Sequence, residues 1–131
     1  MFSDILLTVD FDRTLTGPDS TIPQRNIEAI EYFIANGGTF TVNTGRCVPA
    51  CACFQDKVPT NAPILVYNGA AWYNKETGEL SNVTAIDADP AEMILAIEEQ
   101  FPDLTVEVQG IDAHYRFSEN PMWDAFSEHQ N

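Results

Sequence analysis

Two carboxylates one residue apart, Asp10 and Asp12, end an apolar run, Ile5-Leu6-Leu7-Thr8-Val9, and two hydroxyls, Thr14 and Thr16, follow them. Burying a carboxylate is costly unless a positive or hydrogen-bonding group compensates it, so such a pair at a strand end points to a metal, a phosphate or both. Two carboxyls close together favour a hard cation with oxygen ligands, and Mg²⁺ is the usual one beside phosphate. A second group of residues supplies the opposite chemistry. The Thr44 hydroxyl, the backbone N–H groups around Gly45 and the Arg46 guanidinium are donors suited to phosphoryl oxygens, and Asn68 ends a third apolar run.

The elements that must carry these residues are legible from periodicity. Ile5 to Val9 is a short continuous apolar run, the pattern of a strand buried on both faces. Ile27, Ile30, Phe33 and Ile34 recur at helical spacing behind Pro23, with Gly37-Gly38 as the stop. Residues 39–43 read as a second strand, about 49–57 as a short helix and 63–68 as a third strand. Strand, helix, strand, helix, strand predicts a right-handed parallel β-α-β-α-β unit. Ligands of an open parallel sheet sit beyond the carboxyl ends of its strands, where Asp10, Asp12, Thr44, Gly45, Arg46 and Asn68 all fall.

After Gly69 the pattern changes. Residues 70–74 and 80–86, joined by the polar turn Asn74-Lys75-Glu76-Thr77-Gly78-Glu79, predict a hairpin. Asp89 and Pro90 open a helix with Met93, Ile94, Ile97 and Phe101 on one face. Residues 104–109 and 114–117 read as strands, and 121–126 start a further helix. The expected division is therefore a parallel part, 1–72, and an α+β part, 73–131.

The totals narrow the function classes. A chain of 131 residues with 44% apolar content predicts one compact globular domain. Residues 1–70 hold 7 acidic and 4 basic residues, net −3, and residues 71–131 hold 13 acidic and 2 basic, net −11, which together make the formal −14. Nucleic acid and anionic membrane both need clustered Lys and Arg, so neither is an expected partner. No stretch reaches the roughly 18 apolar residues of a membrane span. The N-terminus carries acids where a signal peptide is basic, so the expected location is the cytoplasm. Cys47, Cys51 and Cys53 crowd together in a spacing that suits neither a disulfide framework nor a standard metal site; free thiols are the favoured reading, with zinc as the other. Thr14 is expected to fix its loop by bonding to the backbone, and His114 and His129 are expected at the surface.

Taken together, these motifs resemble a known family. Asp10-Phe11-Asp12-Arg13-Thr14 matches the D-x-D-x-T signature of haloacid dehalogenase-like hydrolases, and Asn43-Thr44-Gly45-Arg46 with Tyr67-Asn68-Gly69-Ala70 is similar to later landmarks of the Cof-type, sugar-phosphatase-like branch. The resemblance covers residues 4 to about 80 most closely. It implies an α/β fold, a partial Rossmann-like parallel sheet followed by part of an α+β cap, and a Mg²⁺-dependent phosphatase acting on a small phosphorylated metabolite. It further implies that Asp10 is the nucleophile, that Asp12 is the general acid/base, and that both hold Mg²⁺, Asp10 through its side chain and Asp12 through its backbone carbonyl. Thr44 would bond the transferred phosphoryl group, with Gly45, Arg46 and Asn68 near phosphate or substrate.

The sequence also departs from that pattern. Arg13 stands where the family commonly has Gly. The family's Lys and second acidic motif, which follow the cap, have no counterpart here: the two lysines are Lys57 and Lys75. The resemblance thus implies a chain ending within the cap, lacking half of its site and prone to self-association through uncovered apolar surface such as Met122, Trp123 and Phe126. A catalytically idle phosphate-binding or interaction module is the competing reading. A receiver-like phosphoacceptor fits poorly, and phosphoryl transfer between substrates remains open for an intact form.

Overall fold

The computed structural model describes residues 1–116. Two compact units divide the chain, Met1–Thr84 and a second from Ala85 onward.

The first unit is built on a five-stranded sheet in the order β1-β2-β3-β4-β5. β1 (Leu6–Asp10), β2 (Thr39–Asn43) and β3 (Ile64–Val66) run parallel, and β4 (Ala71–Asn74) and β5 (Glu79–Ser81) add antiparallel. Helix α1 (Gln24–Ala35) links β1 to β2, and a 3₁₀ turn at Pro49–Cys53 lies between β2 and β3. The fold class expected from the sequence is thus the one observed, a mixed α/β sheet with a Rossmann-like parallel part.

β2 lies between β1 and β3 and is packed accordingly, with Phe40 and Val42 fully buried. Its buried hydroxyl is satisfied: Thr41 Oγ1 donates to Pro63 O at 2.6 Å. Asn61 clamps the start of the strand, accepting from Phe40 N at 2.7 Å and donating to Gly38 O at 2.9 Å. α1 ends in a paired cap, with Gly37 N donating to Ile34 O and Gly38 N to Phe33 O. The φ of +90° at Gly37 is the left-handed geometry that glycine adopts without steric cost.

β1 differs from its expected burial. Its apolar run predicts cover on both faces, yet Ile5, Leu6 and Leu7 are 49%, 63% and 43% exposed. Among the described residues only β2 pairs with β1; an apolar run reports what a strand can bury, and neighbours decide whether it does. The hairpin also sits differently. β4 pairs with β3 and its Ala71 and Tyr73 turn into the core, so the division expected after residue 72 falls inside a strand and the compact unit runs on to Thr84.

The second unit holds α2 (Pro90–Gln100) and the hairpin β6 (Glu107–Gln109) with β7 (His114–Arg116). Asp89 Oδ1 accepts from Ala91 N at 2.8 Å, capping α2 ahead of Pro90. Only Ile94 of the expected apolar face is fully buried; Met93 and Phe101 stay exposed. His114 is exposed and pairs with Glu107 across the hairpin, Nδ1 to Oε1 at 2.9 Å. The helix expected over 121–126, with Met122, Trp123 and Phe126, and His129 lie outside the described residues.

All three cysteines are free thiols, with Cys47 and Cys51 buried and Cys53 exposed. Burial, reinforced by the nearby Cys47 and Cys53, pushes the Cys51 thiol up from 9.0 to about 12. Its folded value lies above its unfolded one, so the folded state holds this proton more tightly. The associated stability is intact below the unfolded value and is lost as pH rises from about 9 through about 12. Urea unfolding across that window should show the stability difference between wild type and Cys51→Ala shrinking as pH rises; a difference independent of pH would contradict the buried thiol.

Candidate active site

The site begins with register. Asp10 of β1 is opposite Asn43 of β2, and Asn43 is opposite Leu65 of β3. The carboxyl ends of three adjacent parallel strands thus form one row, and the next residues leave the sheet side by side. Two backbone bonds hold the second and third exits together: Asn68 N donates to Thr44 O at 3.0 Å, and Tyr67 N to Arg46 O at 3.0 Å. Asp10 and Thr44 accordingly occupy neighbouring strand ends, with Asn68 against Thr44.

The Phe11–Leu15 turn is a single wide loop. Thr16 closes it, its Oγ1 accepting from Arg13 N at 2.9 Å and donating to Phe11 O at 3.3 Å. The loop-fixing part expected of Thr14 thus falls to the buried Thr16, while Thr14 is exposed. Arg13 has a φ of 61°, left-handed backbone that costs an L-residue roughly 1–2 kcal/mol and glycine little. This explains why a glycine suits that position in the D-x-D-x-T pattern. Asn26 Nδ2 donates to Leu15 O at 3.0 Å, tying the loop to the first turn of α1.

Thr44 is buried, 4% exposed, and its Oγ1 accepts from Arg46 N at 3.1 Å. Its hydroxyl proton is left to give to a ligand. Gly45 meets a close approach: a Cβ there would stand 2.9 Å from Asn68 Oδ1. Asn68 itself has a φ of 57°, a conformation Asn tolerates better than most residues.

Arg46 makes the most extensive contacts. Its Nε donates to Asp12 Oδ2 at 3.0 Å and its Nη2 to Oδ1 at 2.9 Å, a two-pronged ion pair. Nη1 donates to Ala50 O at 3.2 Å and to Cys53 Sγ at 3.4 Å. The guanidinium carbon lies 5.4 Å from the Phe11 ring centroid, and Phe11 stacks on Phe54 at 4.0 Å. The Asp12 hydrogen bonds hold the Arg46 guanidinium above its ordinary range, against the opposing effect of burial. Arg46 is therefore engaged with an acid of the pair, and a phosphoryl group reaching it would have to share or displace Asp12. Phe11 and Phe54 are the supporting residues that motif reading passes over. Their signal is the apolar residue between the two acids, which must turn into the core when its neighbours turn out.

The oxygen donors fit a hard cation. The Asp10 carboxylate is exposed and has no hydrogen bond or ion pair among the described residues. With the Asp12 backbone carbonyl it would supply two of the ligands that Mg²⁺ requires, the remainder falling to water and phosphate oxygens. Among the described residues no group of three or more His, Cys, Asp or Glu could hold a metal alone. Likewise, among those residues, no helix is long and apolar enough to cross a membrane.

Comparison with known proteins agrees with the fold. A family model described as haloacid dehalogenase-like hydrolase matches residues 7–131. No curated protein matches the chain. Among solved structures, a haloacid dehalogenase-like hydrolase from B. subtilis is 23% identical with a TM-score of 0.77, covering 92% of this chain and 42% of its own. The phosphatase BT1666 from Bacteroides thetaiotaomicron is 21% identical with a TM-score of 0.75, covering 95% and 45%. BT4131, described as a subclass IIB sugar phosphatase, is 23% identical with a TM-score of 0.74, covering 96% and 49%. The chain thus spans less than half the length of these structures.

Two measurements check this site. A thiol reagent should titrate Cys53 alone in the native protein and all three cysteines after denaturation, because Cys47 is 3% and Cys51 0% exposed; rapid native reaction of all three would contradict the packing around Arg46. Arg13→Gly should raise stability by about 0.5 kcal/mol or more through relief of the left-handed backbone, whereas a loss of stability in urea melts would mean that the Arg13 side chain holds the loop.

Proposed function

Because the chain belongs to the haloacid dehalogenase-like hydrolases, we propose that it carries the nucleophile half of a Mg²⁺-dependent phosphatase site for a small phosphorylated metabolite such as a sugar phosphate. The observation that supports this most is the register Asp10 opposite Asn43 opposite Leu65, which brings the loops after β1, β2 and β3, with Asp12, Thr44 and Asn68, out at one end of the sheet. The sugar-phosphatase description of one structural neighbour supports the substrate class.

In this reading an Asp10 carboxylate oxygen attacks phosphorus in line, forming an aspartyl-phosphate as the ester P–O bond breaks. The departing oxygen takes a proton from the Asp12 carboxyl. Water then attacks the phosphorus while Asp12 takes its proton, releasing inorganic phosphate and restoring Asp10. Thr44 donates its hydroxyl to the transferred group, with backbone N–H groups near Gly45 and the Asn68 amide bordering it. Asp10 and the Asp12 carbonyl would hold Mg²⁺, which would supply the neutralising charge that phosphoryl transfer mainly needs. Three free thiols support a reducing, cytoplasmic location.

Arg46 shapes the cycle. Its grip on Asp12 orients that carboxyl, and the grip must loosen for Asp12 to exchange protons with a leaving group. The same observation favours the second reading, a catalytically idle phosphate- or Mg²⁺-binding module, for the 131 residues by themselves. The Lys and acidic motif implied by the family resemblance are also not among them.

The test combines binding and turnover. The purified chain should bind Mg²⁺ and inorganic phosphate weakly, shifting the amide resonances of Asp10, Thr44 and Gly45, with Asp10→Asn weakening Mg²⁺ binding about tenfold or more and with no turnover of p-nitrophenyl phosphate. Metal-dependent turnover abolished by Asp10→Asn would show that these residues suffice for catalysis. Absence of any shift at those amides would sink the site itself.

A further inference from the structure

We propose that Thr16 is a positioning residue for the Mg²⁺ seat, fixing the direction of the Asp12 backbone carbonyl; the inference rests on the phosphatase reading of the site. Thr16 Oγ1 accepts from Arg13 N at 2.9 Å. That N–H and the Asp12 carbonyl belong to one peptide unit, and in a planar trans unit the two point in opposite directions. Holding the N–H toward Thr16 therefore turns the carbonyl away from it.

The peptide unit before Asp12 is set by the same residue. Phe11 O accepts from Thr16 N at 3.1 Å and from Thr16 Oγ1 at 3.3 Å, which turns the Asp12 N–H away from Thr16 as well. Both planes flanking the Asp12 Cα are thus held, and with them both of its backbone groups. The conformation they enforce is not a relaxed one. Asp12 is extended, at φ −74° and ψ 119°, and Arg13 beside it is left-handed, at φ 61° and ψ 10°. Strained backbone persists only where its surroundings over-determine it, and it gathers at functional sites. Here the strain sits on the residue that shares a peptide unit with the proposed ligand.

Burial suits Thr16 to this task. It is 7% exposed, so water has little access to replace its hydroxyl. A side chain without that oxygen would leave the Arg13 N–H unpaired and free the 12–13 peptide to rotate. Groups that orient the ligands of a metal typically account for about 10–100-fold in its affinity. The coupling runs in the other direction too. A cation drawing on the Asp12 carbonyl polarises the peptide and strengthens its N–H as a donor, so Mg²⁺ should tighten the bond from Arg13 N to Thr16.

The experiment titrates Mg²⁺ into the 131-residue chain and follows amide resonances, hydrogen exchange and thermal unfolding. Thr16→Val should weaken Mg²⁺ binding by about tenfold, while Thr16→Ser, which keeps the hydroxyl, should bind within about twofold of the wild type. Asn26→Ala removes the bond to Leu15 O and so loosens the same loop without touching the 12–13 peptide. It should lower the unfolding temperature and leave Mg²⁺ affinity as in the wild type. Saturating Mg²⁺ should also slow exchange of the Arg13 amide in the wild type and in Thr16→Ser. Equal affinity in Thr16→Val and the wild type, or an equal loss in Asn26→Ala, would overturn the proposal. Should Thr16→Val not fold, an Arg13 amide in the wild type that Mg²⁺ leaves unchanged overturns it alone. Failure at Thr16 with binding still dependent on Asp10 leaves the phosphatase reading standing, whereas a wild type that binds no Mg²⁺ removes both.

Discussion

Parallel pairing ties the ends of neighbouring strands to one another, and the site depends on that tie. With Asp10 opposite Asn43 and Asn43 opposite Leu65, the loops after β1, β2 and β3 must emerge together. A shift of β1 by one residue would turn its side chains to the opposite faces and carry Asp10 away from Thr44. Fully buried Phe40 and Val42 resist any such shift of β2, and Asn61 fixes where that strand begins. Chemistry at the rim is thus anchored by packing in the middle of the sheet.

On this frame the two acids are treated differently. Among the described residues Asp10 has no hydrogen-bond or ionic partner, while Asp12 is gripped by Arg46 with two hydrogen bonds. Paired carboxylates repel unless one is compensated, and Arg46 supplies the compensation from a loop that β2 and β3 hold in place. The Phe11–Phe54 stack beneath the guanidinium limits where Arg46 can go. The two carboxylates are chemically alike in sequence and are made distinct by their neighbours.

Much of this was legible in the residues. The run 39–43 appears as a strand with those bounds, and Asp89-Pro90 starts a helix where the pattern places it. Such signals are local: alternation, a cap, a proline at the first turn. The exposure of Leu6 and Leu7 was not legible, because burial depends on what lies on both sides of a strand and the run itself is silent on that. The residues specify the hairpin but not its place in the sheet, since turn chemistry dictates a reversal and not what the strands pair with. The position of Arg46 after β2 brings it near the site, but the side chain it reaches, Asp12, is remote in sequence. For the same reason Thr16, not Thr14, proves to close the loop: both hydroxyls follow the acids, and only backbone geometry distinguishes them.

The close approach at Gly45 has a further consequence. Since a Cβ there would stand 2.9 Å from Oδ1, the movable end of the Asn68 side chain, a larger residue at 45 obliges that amide to swing aside. A substitution at 45 would therefore be felt first in the orientation of the side chain at 68, on the neighbouring strand exit, before it reached the backbone of either loop.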